Sequence, residues 1–269
     1  MGSGRNRMNE AAAEYLNILG RFCGRRDLKS LDCSSLYEGY GIDRVDVMVL
    51  FGGSILAGGD LLAEAVRDRI ASTYIIVGGA GHTTETLRQT VQAEYPFIRT
   101  AGLTEAEIFQ KYLQEIYGCR ADFLETGSTN CGNNITYLLD LMEKNRIACK
   151  SILLCQDATM QMRMDAGFRK YRSQGISVIN YASYSATVKC EADGLGIQEK
   201  IHGMWDIDRY INLLMGEIPR LRDDGEGYGP AGKGFIAHVD IPADVEKAFS
   251  ELKNIFGDRI REANPLYAH

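Results

Sequence analysis

The 269-residue chain has no apolar run approaching the roughly 20 residues a spanning helix needs, and no secretory signal at its start. Asn6 stands where an N-myristoylation signal requires Ser or Thr. No membrane association is therefore expected. Basic residues are in deficit, with Lys and Arg totalling 30 against 36 Asp and Glu, a formal net charge of −6. A nucleic-acid binder needs a basic face to neutralise phosphates, so that class is disfavoured. Seven cysteines form no C-x-x-C pair, and four histidines form no H-x-x-x-H. A disulfide framework and a zinc site both lack their usual spacing, and a reducing, cytoplasmic setting is expected. Cys155, inside an apolar run, reads as a small core residue.

Several catalytic signatures are also missing. There is no G-x-S-x-G elbow, which leaves a Ser-His-Asp hydrolase unsupported. Gly79-Ala80-Gly81-His82-Thr83-Thr84 carries two glycines of the dinucleotide fingerprint but puts Thr84 in the third place. No acidic residue closes the strand before it, where a ribose-binding carboxylate would stand. Gly227 to Lys233 spells G-x-x-x-x-G-K, yet Gly234 replaces the magnesium-binding Ser or Thr. A strand-like run, Phe235–Val239, follows instead of a helix, so a phosphate loop is rejected. No internal repeat is present.

What remains is a composition of 45% hydrophobic and 25% charged residues, ordinary for a soluble globular protein of one large or two small domains. Short β-rich runs alternate with longer helical segments. Val45–Phe51, Tyr74–Val77, Asp122–Glu125, Ser151–Cys155 and Ile176–Ile179 are near-continuously apolar or nearly so, as strands covered on both faces must be. The gaps accommodate crossover helices. The pattern predicts an α/β, Rossmann-like parallel sheet of about five strands flanked by helices, with added N- and C-terminal helical segments.

Helix starts are marked as well. Thr104 with Glu107 spells a capping box, and Thr83, Thr129 or Asn130, and Thr159 are cap candidates further along. Amphipathic helices are expected at 8–22, Trp205–Met215 and about 243–256. The resulting organisation is a core over 40–182, with mainly helical segments 1–39 and 183–269 forming a smaller subdomain. Between the last two helices, 225–234 is so rich in glycine that one regular shape is not expected. The adjacent Pro219 to Asp224 reads as a solvated charged turn, or as a lid bringing Arg220 or Arg222 over an anion.

In an open parallel sheet, ligands bind beyond the carboxyl ends of the strands. Four of those ends are loaded. The first offers Gly52, Gly53 and Ser54; the second Gly78, Gly79, Gly81 and His82. The third offers Ser128, Thr129, Asn130 and Asn134, and the fourth Gln156 and Asp157 followed by Arg163. Glycines there admit a ligand to backbone N–H groups, and helix N-termini add partial positive charge. Each residue also has a plain structural use: a tight turn for a Gly-Gly pair, a satisfied turn for His82, caps for Ser128 to Asn130. Glu105 suits a helix dipole, and Arg163 can pair with Asp157 or with a ligand anion. Their convergence on one edge points to a small-molecule site with His82, Glu105 and Asp157 as acid–base groups and Arg163 among the ligand-binding residues.

The Gly-Gly pairs at the first two strand ends, Glu105, Ser128-Thr129-Asn130-Cys131-Gly132 with Asn134, Gln156 to Gln161 and the stretch Gly216 to Pro242 together resemble the YdcF/SanA/ElyC family. The similarity spans nearly the whole chain. It implies a Rossmann-like fold of the nucleotide-utilising type and, for the YdcF-like branch, S-adenosyl-L-methionine as ligand or cosubstrate. Two positions depart from the family: Asn133 stands where Glu is usual, and Met160 where many relatives have His. The expected function is a cytoplasmic protein binding this nucleotide-type ligand at the strand ends. One alternative is an enzyme acting on a phosphorylated or nucleotide-sugar substrate; another is a non-catalytic adaptor using the glycine-rich loop.

Overall fold

The computed structural model describes residues 2–81, 83–192 and 194–257. Strands β1 (Val45–Phe51), β2 (Ala71–Val77), β3 (Phe123–Glu125), β4 (Ser151–Cys155) and β5 (Ser177–Asn180) form one sheet, ordered β3-β2-β1-β4-β5. Every pairing in it is parallel. The chain runs outward from β1 to β3, then returns to place β4 on the other side of β1. The strand order therefore reverses between β1 and β4, which opens a crevice at their carboxyl ends. This is a Rossmann-like α/β fold.

Successive side chains of a strand point to opposite faces, and β1 shows why both faces must be covered. Val47, Val49 and Phe51 pack with Ile135 and Leu138 of α6 (Cys131–Lys144) and with Met164 and Phe168 of α7 (Gln161–Tyr171). Met48 and Leu50 face the other way. They join Leu36 of α2 (Cys33–Tyr40), Leu62 of α3 (Ala57–Arg67), Leu87 of α4 (Thr84–Glu94) and Ile108 of α5 (Glu105–Tyr112). At the start of β1, Asp46 Oδ2 accepts from the backbone N–H groups of Lys150 and Ser151, fastening β1 to β4.

A further apolar cluster gathers the terminal segments. Leu16 and Leu19 of α1 (Gly2–Cys23) pack with Leu214 and Ile218 of α8 (Ile207–Leu221) and with Phe249 and Leu252 of α9 (Ala243–Phe256). Ile55, Ala158 and Ala166 connect this cluster to the sheet layer. A two-stranded antiparallel hairpin, β6 (Val188–Glu191) and β7 (Gly194–Ile197), completes it; its short strands carry no run of alternation that distinguishes them in the sequence. No helix among the described residues is long and apolar enough to cross a membrane.

Three local expectations are corrected. Residues Pro219, Arg220 and Leu221 belong to the last turn of α8, where a proline forfeits one helical bond without breaking the helix. Phe235–Val239 is not a strand. The glycine-rich loop holds one compact shape: Tyr228 N donates to Arg220 O at 3.0 Å and Lys233 N to Gly227 O at 2.9 Å. A Cβ on Gly227 would collide with Arg222 O, and one on Gly232 with Asp224 O, so these glycines mark close backbone approach.

Between β7 and α8, residues 198–206 form a strap across the α3 side. α5 continues into a π-helical turn, Leu113–Tyr117, and this wider turn lets Tyr112 and Tyr117 reach one acceptor. Both hydroxyls donate to Asp60 Oδ1, at 2.5 and 2.8 Å. His202 of the strap sets Nδ1 2.7 Å from Asp60 Oδ2 and Nε2 2.9 Å from Glu94 Oε1. Partial burial lowers the imidazole pKa, but the contacts with both carboxylates outweigh it and hold the imidazolium above its usual range. That stabilisation is full below the unfolded-state pKa of about 6.5 and is lost as pH rises through the raised folded value. His202→Gln should therefore melt below the wild type at about pH 6, with the gap closing by about pH 9. An equal gap at both pH values would show that His202 does not act through its charge.

Candidate functional site

Beyond the carboxyl ends of the strands lies a cavity of about 600 Å³, within the size range of small-molecule sites. Gly52, Gly53 and Ser54 border it after β1, Gly79 and Gly81 after β2, Ser128, Thr129, Asn130 and Asn134 after β3, and Gln156 and Asp157 after β4. Glu105 lines it from the start of α5. The structure thus gathers most of the residues singled out in the sequence around one space.

The glycines serve close approach first. A Cβ on Gly52 would meet the Glu105 side chain and Gly78 Cα, and one on Gly79 would collide with Ser128 O. Gly78 lies behind this contact and does not line the cavity; its carbonyl accepts from Ala106 N at 2.8 Å. Bare backbone at these positions lets β1, β2 and the start of α5 converge, which brings the Glu105 carboxyl to the cavity. Its Oε1 accepts from Thr83 Oγ1 at 2.6 Å and Thr84 Oγ1 at 3.0 Å. Burial raises the Glu105 pKa, and the two threonine hydroxyls only partly offset this. Thr83, at the cap position of α4, accordingly spends its side chain on Glu105 and not on the helix.

Asn130 is the N-cap of α6, with Oδ1 accepting from Asn133 N at 2.9 Å. Ser128 Oγ accepts from Gly79 N at 3.1 Å. Asp157 is more completely enclosed. Its Oδ1 accepts from Thr159 N, Thr159 Oγ1 and Tyr184 Oη at 2.8, 2.6 and 3.0 Å, while the buried Oδ2 has no partner. Thr159 therefore anchors Asp157, and α7 is entered through Met160. Burial raises the Asp157 pKa against the pull of those three bonds, and Glu217 raises it further.

Arg163 is placed elsewhere. It is not among the lining residues; its guanidinium makes a bidentate pair with Glu217 of α8, Nε to Oε2 at 2.6 Å and Nη2 to Oε1 at 3.0 Å. Glu217 is buried and Arg163 nearly so, and the edge of the fork formed by Nε and Nη2 is turned to Glu217 and away from the cavity lining. Arg220 and Arg222 are committed likewise: Arg220 bonds Gly216 O, and Arg222 pairs with Glu246 of α9 at 2.6 Å. Neither lines the cavity. His82 lies outside the described residues.

The wall contributed by α8 and the strap was not singled out in the sequence. Trp205, Asp208, Arg209, Asn212 and Leu213 recur at helical spacing and line the cavity. The opposite stripe of α8, with Ile211, Leu214 and Ile218, enters the terminal cluster. Trp205 Nε1 donates to Ser54 Oγ at 2.9 Å, and the Arg209 guanidinium sits 5.1 Å from the Trp205 ring centroid. Cys131 and Met160 also line the space, from the first turns of α6 and α7. Among the described residues no group of three or more His, Cys, Asp or Glu is placed to hold a metal ion.

This lining presents carboxylates from Glu105, Asp157 and Asp208 and, among the described residues, a cation from Arg209. The arrangement can receive hydrogen-bond donors and positive charge along one side, with the starts of α4, α6 and α7 supplying backbone partial positive charge for a carboxylate. No protein-family model matches the chain.

Two outcomes are expected. Arg163→Ala should cost about 3 kcal/mol in urea unfolding, because it leaves the buried Glu217 only its longer contact with Arg220, at 3.9 Å. Arg163→Met combined with Glu217→Leu should recover most of that loss. A double variant as unstable as the single would show that the ion pair itself is not what matters. For Asp157, a folded pKa above the unfolded value makes ionisation cost stability as pH rises through that range. Asp157→Asn should therefore stabilise the ligand-free protein near neutral pH, with the gain disappearing near pH 4. A gain of the same size at both pH values would rule out the titration as its source.

Proposed function

We propose that this protein binds a nucleotide-type small molecule in the strand-end cavity, S-adenosyl-L-methionine first, and that it does so in the cytoplasm. The observation that carries the reading is the charge of the lining. Glu105, Asp157 and Asp208 border the cavity, whereas Arg163, the cation expected to receive a phosphate, is spent on Glu217. A polyphosphate ligand would have to enter beside these carboxylates. A sulfonium nucleoside bearing an α-amino acid matches them better: its positive charges suit the carboxylates and its own carboxylate suits the helix starts. Trp205 and Leu213 add apolar surface for a nucleobase. The resemblance to the YdcF/SanA/ElyC family supports the same ligand. Seven cysteines without C-x-x-C spacing suit a reducing compartment. Glu105 and Asp157 are the groups placed to exchange a proton with whatever is bound.

Calorimetric titration with S-adenosyl-L-methionine, ATP and a nucleotide sugar tests the reading. The expected result is stoichiometric micromolar binding of S-adenosyl-L-methionine, with ATP weaker by at least about tenfold. Asn134→Ala, which removes a carboxamide from the lining, should weaken binding by roughly tenfold. ATP or the nucleotide sugar binding more tightly would transfer the assignment to an enzyme of phosphorylated substrates. Silence toward all three ligands would end it.

A further inference from the structure

Two acceptors on the cavity are left without donors. Asp157 is 7% exposed, and while its Oδ1 takes three bonds, Oδ2 is buried and unpartnered. Asn212, on the α8 wall, has a buried Oδ1 that is also unpartnered. Both residues line the same space, one from the end of β4 and one from the helix laid over it. A buried acceptor without a donor is costly, most of all when it can carry charge. From α8, Glu217 brings Asp157 a charge of the same sign. Tyr184 spends its hydroxyl on Oδ1 and leaves Oδ2 unserved. What completes this pair must bring N–H or O–H groups, and beside a carboxylate the most favourable donor is a cation.

We propose that Asp157 Oδ2, with Asn212 Oδ1 on the facing wall element, forms a primary-ammonium subsite that makes the cavity selective for ligands carrying an alkylammonium group. The proposal rests on the cavity being the ligand site, as argued above, but is narrower than that reading. A sulfonium centre is positive yet has no hydrogen to donate, so it leaves both acceptors unsatisfied. An α-ammonium group has three N–H donors, enough in number for both acceptors. The subsite therefore recognises the amino-acid end of a nucleoside ligand and is indifferent to its methyl group. Thr159 and Tyr184 hold the Asp157 carboxyl in place, so its position does not depend on the ligand.

The experiment compares S-adenosylhomocysteine with 5′-methylthioadenosine, which keeps the nucleoside and thioether but lacks the amino-acid portion. The des-amino analogue of S-adenosylhomocysteine, which retains the carboxylate, isolates the ammonium group. On the wild type, S-adenosylhomocysteine should bind about 100-fold more tightly than the des-amino analogue. Asp157→Asn should remove most of that difference while leaving the des-amino analogue and 5′-methylthioadenosine unchanged, and Asn212→Leu should reduce it by roughly tenfold. Circular dichroism and melting of each variant confirm that the fold is retained. Equal wild-type affinities for the amino and des-amino ligands would overturn the subsite while leaving the nucleoside site standing. So would an Asp157→Asn variant that weakens all ligands alike. Absence of binding by every nucleoside would overturn the reading of the cavity and the subsite together.

Discussion

The buried pair between Arg163 and Glu217 joins two parts of the chain that have little else in common. Arg163 stands in the first turn of α7, directly after β4, and Glu217 lies deep in α8 among side chains of the terminal cluster. Charges taken out of water are tolerated only where geometry matches them closely, so a bidentate fork of this kind admits one registration of the helices and few others. α8 is thereby set over the carboxyl ends of β1 and β4. Without that placement the strand ends would open to solvent as a shallow notch. With it, Trp205, Asp208, Arg209 and Asn212 close a cavity. The arginine contributes to the site by positioning a wall and makes no contact with its interior.

Below the cavity the floor is held by amides. Gln161, wholly buried, accepts from Gln156 N through Oε1 and donates through Nε2 to Leu154 O and Asn180 Oδ1. Asn180 in turn donates to Asp165 and Asp27. A single glutamine side chain thus ties the end of β4 to β5 while the chain turns into α7. Gln156 itself accepts from Asp157 N at 2.6 Å. The backbone at this turn is therefore fixed by side chains within hydrogen-bond reach, and the Asp157 carboxyl inherits the precision of that network. A carboxyl on a rigid mount, with one oxygen saturated and the other buried without a partner, differs from a solvated surface acid even where the residue type is the same.

Much of this was readable along the chain. The strand ends were legible because a parallel strand buried on both faces leaves a continuous apolar run that stops at glycine or a polar residue, as Phe51-Gly52 and Cys155-Gln156 do. The Thr104–Glu107 capping box is a contact over three residues, and it forms as its spacing predicts. Arg163 was misjudged for the opposite reason: its partner is 54 residues away and no local pattern announces it. The polar stripe of α8 looks like any solvent-facing stripe until tertiary packing turns it toward the strand ends. Along the sequence the glycines of 225–234 read as freedom, yet Gly227, Gly229 and Gly232 are sites of contact, since a glycine that permits many conformations and one that permits a close approach are identical in sequence.

The wall over the cavity is secured at both ends, and this bears on what kind of site it is. Toward its C-terminal half α8 is held by Glu217 on Arg163. At its beginning Asp206 caps the helix, Trp205 bonds Ser54, and the strap behind them is fastened through His202 to Asp60. A lid that closes on a ligand is usually tied at one end and loose at the other, so that closure costs little. Here the fasteners reach the sheet layer from two directions, through Arg163 on α7 and Asp60 on α3, and those two lie outside the cavity lining, whereas the Trp205–Ser54 bond is part of it. The walls of the cavity are thus held by contacts within the protein. Its unsatisfied acceptors are a standing cost that the fold does not relieve by collapsing around them. On the proposal made above, a group that completes Asp157 Oδ2 gains affinity because a wall secured in this way spends little of the binding energy on rearrangement.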